Sequence, residues 1–208
     1  MPISLVEQGG HEWHALRHGK VTGTSLTRAL GSPKVTETLL YELVAARMTE
    51  PNPTDLNSAA VQRGRDLEPA AIKAVEEKHG VQFEPVGMML DDEFKNFGVS
   101  PDGVYFDDIL TGEITGGVET KCPGSKKHVE YLINDVIPKE YDGQVMAAFM
   151  VCPSVEWWIF ASYDDRNYEF PLFTKKVTRA DYPNLDADRA KLAAYLVRVE
   201  LAHLQLTF

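Results

Sequence analysis

The order of periodicities along the chain is its strongest constraint. Between residues 86 and 173, short β-rich runs alternate with turn residues: Val86–Leu90, Phe97–Ser100, Gly103–Phe106, Gly117–Cys122, Glu156–Tyr163 and Tyr168–Phe173. One helical segment, Lys139–Met150, sits among them. Ahead of them, Leu39, Leu40, Leu43, Val44 and Met48 recur at helical spacing within Thr36–Met48. The segment Glu50-Pro51-Asn52-Pro53-Thr54-Asp55 then reads as a loop. Ser58–Lys78 is helical in pattern but broken at Gly64, with Asp66 capping a fresh helix whose first turn holds Glu68 and accepts Pro69. Gly80 ends that helix. From Asp186 onward, Leu192, Leu196 and Val199 form one stripe of a closing amphipathic helix. Helices, then strands with an inserted helix, then a helix describe one α/β domain over residues 1–208.

Composition excludes several classes. Apolar residues are 44% and charged residues 25%, enough for a packed core and unlike a disordered chain. No run approaches the roughly 18 uninterrupted apolar residues of a membrane helix. Met1–Gly10 lacks a basic segment followed by an apolar one, so no secretory signal is expected and a reducing cytoplasm is the default. Cys122 and Cys152 are too few for a disulfide framework or a cysteine metal site. The net charge of −10 argues against a general nucleic-acid coat. Its distribution is uneven: residues 91–119 sum to −7, while 11–28 and 121–131 each sum to +2. Such segments suit either solvated surface or a cation site beside an anion-binding rim.

The chemistry concentrates in two places. Ser100-Pro101-Asp102-Gly103 lies between two β-rich runs and favours a tight bend. Glu119-Thr120-Lys121 follows within an extended run, where residues i and i+2 share a face. Glu119 and Lys121 then project together, opposite Val118, Thr120 and Cys122. If the Asp102 bend lies alongside, two carboxylates and an ammonium meet. That trio suits metal-dependent phosphodiester hydrolysis: oxygen ligands hold Mg²⁺, and a neighbouring lysine orients a water or takes its proton. The same residues also fit an exposed Glu–Lys pair and a turn aspartate.

The pattern Pro101-Asp102…Glu119-Thr120-Lys121 resembles the PD-(D/E)xK nuclease signature. Its flanks resemble the lambda exonuclease family, the YqaJ-type alkaline exonucleases. The matching segments, in order, are Trp13–Thr24, Arg63–Ala70, Ser100–Gly103, Glu119–Pro123, Tyr141–Met146 and Trp158–Asp164. The resemblance implies a restriction-endonuclease-like domain with a central mixed β-sheet flanked by helices. It implies Asp102, Glu119, the Thr120 carbonyl and Glu68 as metal ligands, and Lys121 as the residue positioning the attacking water. Gln144 would orient that lysine or a metal-bound water. Arg17, with Thr24 or Ser25, would grip a 5′-terminal phosphate. Two Mg²⁺ ions per site are implied, with Mn²⁺ as a substitute.

On the same ground the expected activity is 5′→3′ digestion of one strand of linear double-stranded DNA. It would release 5′-mononucleotides and leave a 3′ overhang for recombination. A homotrimeric ring, a single-strand annealing partner and a phage or prophage origin in a bacterial host are implied with it. The alternatives are a structure-specific endonuclease of the same superfamily and a non-catalytic DNA-binding module. Taken one at a time, Glu68 also fits a helix-dipole role, Gln144 a core amide and Arg17 a surface charge. Trp13, Trp157 and Trp158 read as core or interface residues. Cys122 reads as a small buried hydrophobe, and the six histidines show no ligand spacing. Leu110–Gly117 is expected to lengthen the loop between Asp102 and Glu119.

Overall fold

A computed structural model describes residues 3–51, 59–108 and 112–207. The elements in chain order are β1 (Ile3–Ser4), α1 (His11–Arg17), β2 (Val21–Thr22), α2 (Gly23–Ala29), α3 (Pro33–Arg47) and α4 (Ala59–His79). There follow β3 (Met88–Leu90), β4 (Phe97–Val99), β5 (Gly103–Phe106), β6 (Ile114–Lys121), α5 (Ser125–Asn134), α6 (Lys139–Val151), β7 (Trp157–Tyr163), β8 (Leu172–Thr178) and α7 (Leu185–Leu204). No helix among the described residues is long and apolar enough to cross a membrane.

The α/β class holds, with the strands in two mixed four-stranded sheets rather than one. Their orders are β1-β3-β4-β2 and β5-β6-β7-β8. In the second sheet β6 and β7 run parallel at the centre, joined through α5 and α6, while β5 and β8 flank them antiparallel. Central parallel strands are covered on both faces, which is why six of the eight β6 residues are buried. On one face α4 supplies Val75, which packs with Val118, Ile159 and Ala161. The other face belongs to the larger core, where α6 residues Val145–Val151 meet Phe97, Trp158, Phe160 and Leu192. A fully buried side chain of this size contributes roughly 1.5–3 kcal/mol.

Several local expectations change. Gly64 does not break α4: the helix is continuous, with Pro69 inside it. Asp66 is not a cap but accepts a hydrogen bond from Gln62 Nε2 at 2.8 Å. Nothing lies within 4 Å of a Cβ at Gly64, so that glycine costs only its helix propensity, about 1 kcal/mol, which the packing of Ala71 and Val75 outweighs. The last strand is Leu172–Thr178, not Tyr168–Phe173. Tyr168 is 95% exposed and lies in the β7–β8 loop, where β-propensity found no sheet partner. Ile114–Gly117 belongs to β6 rather than to a loop. Residues 52–55, Ser58 and Leu110 lie outside the described residues.

Candidate active site

β5 and β6 pair with Gly103 opposite Val118, which brings Asp102 beside Thr120. The Asp102 N–H donates to the Val118 carbonyl at 3.2 Å. Asp102 Oδ2 in turn accepts from the Thr120 N–H at 2.6 Å and the Thr120 hydroxyl at 2.8 Å. Glu119 and Lys121 share the opposite face, as the period of two requires, and Lys121 Nζ donates to Glu119 Oε1. Gln144 of α6 donates its Nε2 to that same oxygen. Glu119 is 2% exposed. Lys121 rests over the Tyr141 ring, 5.3 Å from its centroid, and Tyr141 is itself stacked on Phe160.

Glu68 reaches the same place from within α4, not from its first turn. Burial, then the charge of Asp102, pushes its carboxyl up to about 7. Burial likewise pushes Glu119 up to about 7, although Lys121 opposes it. Burial alone would lower Lys121, but the fields of Glu119 and Asp102 win and hold the ammonium above its usual range. Lys121 is therefore held as an ammonium that donates to Glu119. Cys122 is pushed up to about 11 by burial, so its thiol stays protonated and inert.

Three carboxylates thus confront one ammonium. Among the described residues no three His, Cys, Asp or Glu side chains stand close enough to hold a metal ion as they are. The donor chemistry nevertheless fits a hard divalent cation. Its ligands are oxygens, two of the carboxyls are desolvated by burial at a cost a bound cation would offset, and Asp102 Oδ1 accepts no hydrogen bond among the described residues.

The opposite rim is built by α1, α2 and α6. Glycines at 23 and 143 allow α2 and α6 to touch: a Cβ at Gly23 would stand 3.0 Å from Gln144 Cα, and one at Gly143 2.6 Å from Thr27 Cγ2. The α2 N-terminus therefore borders Gln144, and through it Glu119. Ser25 is committed to capping that helix, its Oγ accepting from the Thr22 N–H at 3.0 Å. Thr24 is exposed and shares a 2.9 Å hydroxyl contact with Thr22. Of the two hydroxyls, Thr24 is the one left available. Arg17 is desolvated, which lowers its pKa, and it lies in the field of Glu119, which raises it. Its guanidinium stacks 4.3 Å from the Trp13 ring centroid.

Three supports were not foreseen as such. Trp13 Nε1 donates at 3.0 Å to both the Gly87 carbonyl and Ser100 Oγ, tying Arg17's platform to the Asp102 bend. Gln8 Nε2 donates to the Pro101 carbonyl at 2.7 Å and the Val86 carbonyl at 2.9 Å. Arg63 of α4 donates to the Cys122 carbonyl at 3.2 Å and pairs with Asp164 at 3.0 Å and Asp165 at 2.5 Å, clamping α4 to the ends of β6 and β7. Trp13 and Arg63 lie inside the resembling segments, but their partners are more than 50 residues away, so no local signal discloses the contacts.

A buried E-x-K pair beside an aspartate at a strand start, on a mixed sheet flanked by helices, defines a PD-(D/E)xK-type nuclease fold. The sequence model of the YqaJ-like viral recombinase domain matches residues 12–154, and the chain belongs to that family. Among solved structures, it is similar to LHK-Exo, an alkaline exonuclease from Laribacter hongkongensis, with 28% identity, a TM-score of 0.82, and 95% of this chain and 96% of that one covered. LHK-Exo in complex with dAMP matches at 29% identity and a TM-score of 0.81, with the same coverage. A phage-related exonuclease from Haemophilus somnus shares the fold, at 14% identity and a TM-score of 0.61, over 93% of this chain and 97% of that one. No curated protein matches.

Proposed function

We propose that this chain is a deoxyribonuclease. More specifically, we read it as a Mg²⁺-dependent 5′→3′ exonuclease that works from the ends of linear double-stranded DNA, releases 5′-mononucleotides and leaves a 3′ overhang for recombination. The observation that carries the reading is the meeting of Asp102, Glu119, Lys121, Gln144 and Glu68 at one end of the β5–β6 pair, in a chain of this family. The alkaline exonuclease relative and its dAMP complex support an exonuclease with a mononucleotide product.

In this reading Asp102, Glu119, Glu68 and the Thr120 carbonyl hold the cation. When bound, it polarises the phosphate and lowers the pKa of a water. Thr120 fixes Asp102 through two hydrogen bonds, so that ligand loses little side-chain freedom on binding. Lys121, set on Tyr141, orients the attacking water, and Gln144 steadies Glu119. Arg17 offers its planar fork to the 5′-terminal phosphate, with Thr24 as the assisting hydroxyl. The charge of −10 fits a homotrimeric ring that presents a narrow basic lining to DNA and an acidic exterior, with a single-strand annealing protein as partner.

The test is digestion of 5′-phosphorylated linear duplex with magnesium, with chelator, and against a covalently closed circle. We expect mononucleotides from the linear substrate only, and none with chelator. Asp102→Ala and Lys121→Ala should each lower the rate at least ~10³-fold while the fold survives. Cleaved circles would transfer the reading to an endonuclease, and full activity in either variant would remove the site assignment. Arg17→Ala should erase the preference for 5′-phosphate over 5′-hydroxyl ends.

A further inference from the structure

The chain has nine arginines, and most are committed within the protein. Arg28, Arg47, Arg63, Arg166 and Arg189 pair with carboxylates, and Arg179 donates to backbone carbonyls. Arg65 makes no ion pair or hydrogen bond among the described residues, although its charge acts on Glu68 one turn along α4. Residues three apart on a helix share a face, so Arg65 stands on the Glu68 side of α4, while Arg63 is locked to the strand ends. The neighbouring acid, Asp66, is engaged by Gln62 instead.

The Arg65 head lies next to the N-terminal segment. Its Cζ and Nη2 are the nearest atoms, at 4.0 Å, to a Cβ placed on Gly9. Gly9 has φ +81° and follows Gln8, which bonds the Pro101 carbonyl beside Asp102. An exposed guanidinium therefore lies between Glu68 and the chain leading to the Asp102 bend, with its donors unspent. An exposed arginine in the field of a carboxyl one turn away would ordinarily close an ion pair with it. Leaving all five N–H groups open suits a planar, charge-assisted, two-pronged contact with an anion that arrives from outside.

We propose that Arg65 is a second phosphate contact, distinct from Arg17, which holds an internucleotide phosphodiester of the strand being cut. The proposal rests on the reading of this site as a DNA hydrolase. Arg17 would recognise a terminal phosphomonoester, whereas Arg65 would act on any duplex end whatever its 5′ group.

The test compares wild type, Arg65→Ala and Arg65→Lys on 5′-phosphorylated and 5′-hydroxyl linear duplex over a series of salt concentrations. Wild-type digestion of linear duplex is the control for the underlying function; its failure sinks that reading, not this one alone. Given wild-type activity, Arg65→Ala should raise KM about tenfold on both ends alike, the effect of removing one charge-assisted bond. It should also reduce the slope of log KM against log salt by about 0.9, the signature of one fewer phosphate neutralised by the protein. Arg65→Lys should restore the slope. Chelator-treated binding of duplex, followed by fluorescence anisotropy, should show the same change in slope without any turnover. An unchanged slope, a loss confined to 5′-phosphorylated ends, or a kcat change with a shifted pH profile and normal KM would each overturn the proposal. The last would mean that Arg65 acts only through Glu68.

Discussion

At the scale of single residues, the site holds two carboxyls whose ionisation burial opposes. Glu119 and Glu68 both sit near 7 because burial and a neighbouring carboxylate disfavour their ions. An acid whose folded pKa lies above its unfolded value of about 4.3 binds a proton more tightly in the native state, so the chain without metal loses stability as pH rises from about 4.5 to 7. For Glu119 alone the shift is worth on the order of 3 kcal/mol. Metal-free protein should therefore melt at a lower temperature at pH 8 than at pH 5.5. Added magnesium should raise the melting temperature at pH 8 by more than at pH 5.5, and calorimetry at the two pH values reads both. Equal magnesium effects would contradict the assignment of these carboxyls as ligands. At limiting magnesium the rate should climb through pH 7 as the two carboxyls ionise, and more magnesium should move that limb to lower pH, because metal and proton compete for the same oxygens. Asp164 shows the opposite sign: burial opposes it, but hydrogen bonds from Ser125 and Arg166 prevail and hold it at about 2. Its contribution is present above about pH 4 and lost as pH falls toward 2.

Among elements, the decisive contact is between α2 and α6. Two short helices can lie this close only because residues 23 and 143 have no Cβ, and the contact carries Gln144 to Glu119 and the α2 N-terminus to the rim. Gly143→Ala would drive a methyl to 2.6 Å from Thr27 Cγ2. Overpacking of this kind costs roughly 1–3 kcal/mol, and here it should lower the rate far more than the melting temperature, because it displaces Gln144. Thr27→Ser, which removes that methyl, should rescue the double variant; absence of rescue would place the fault elsewhere. The hinge between α1 and the Asp102 bend is Trp13. Trp13→Phe keeps the aromatic face under Arg17 but deletes both indole hydrogen bonds. Its expected phenotype is a weakened 5′-phosphate preference together with a modest loss of stability, about 1 kcal/mol. End-labelled substrates with and without the phosphate measure the first effect, and thermal unfolding measures the second.

For the whole molecule, the proposed ring predicts a solution mass about three times the 23.2 kDa chain, which light scattering measures directly. A monomer at working concentrations that digests DNA at full rate would exclude the ring. Arg63 bears on integrity at the same scale, since it binds α4 to the ends of both central strands. Arg63→Ala should cost about 2 kcal/mol, softened because Asp164 keeps Arg166. Residue order alone was enough to specify the period-two face shared by Glu119 and Lys121, the bend at Asp102, the helix stop at Gly80 and the α/β class. Each of these follows from local geometry: side-chain alternation, turn chemistry and positive φ at glycine. The unbroken α4, the division into two sheets, the displaced last strand and the partners of Trp13, Arg63 and Gln144 were settled only by folding. In those places a weak local preference at Gly64 or Tyr168 competes with packing between residues far apart in the chain, and burial against the sheet outweighs propensities of about 1 kcal/mol.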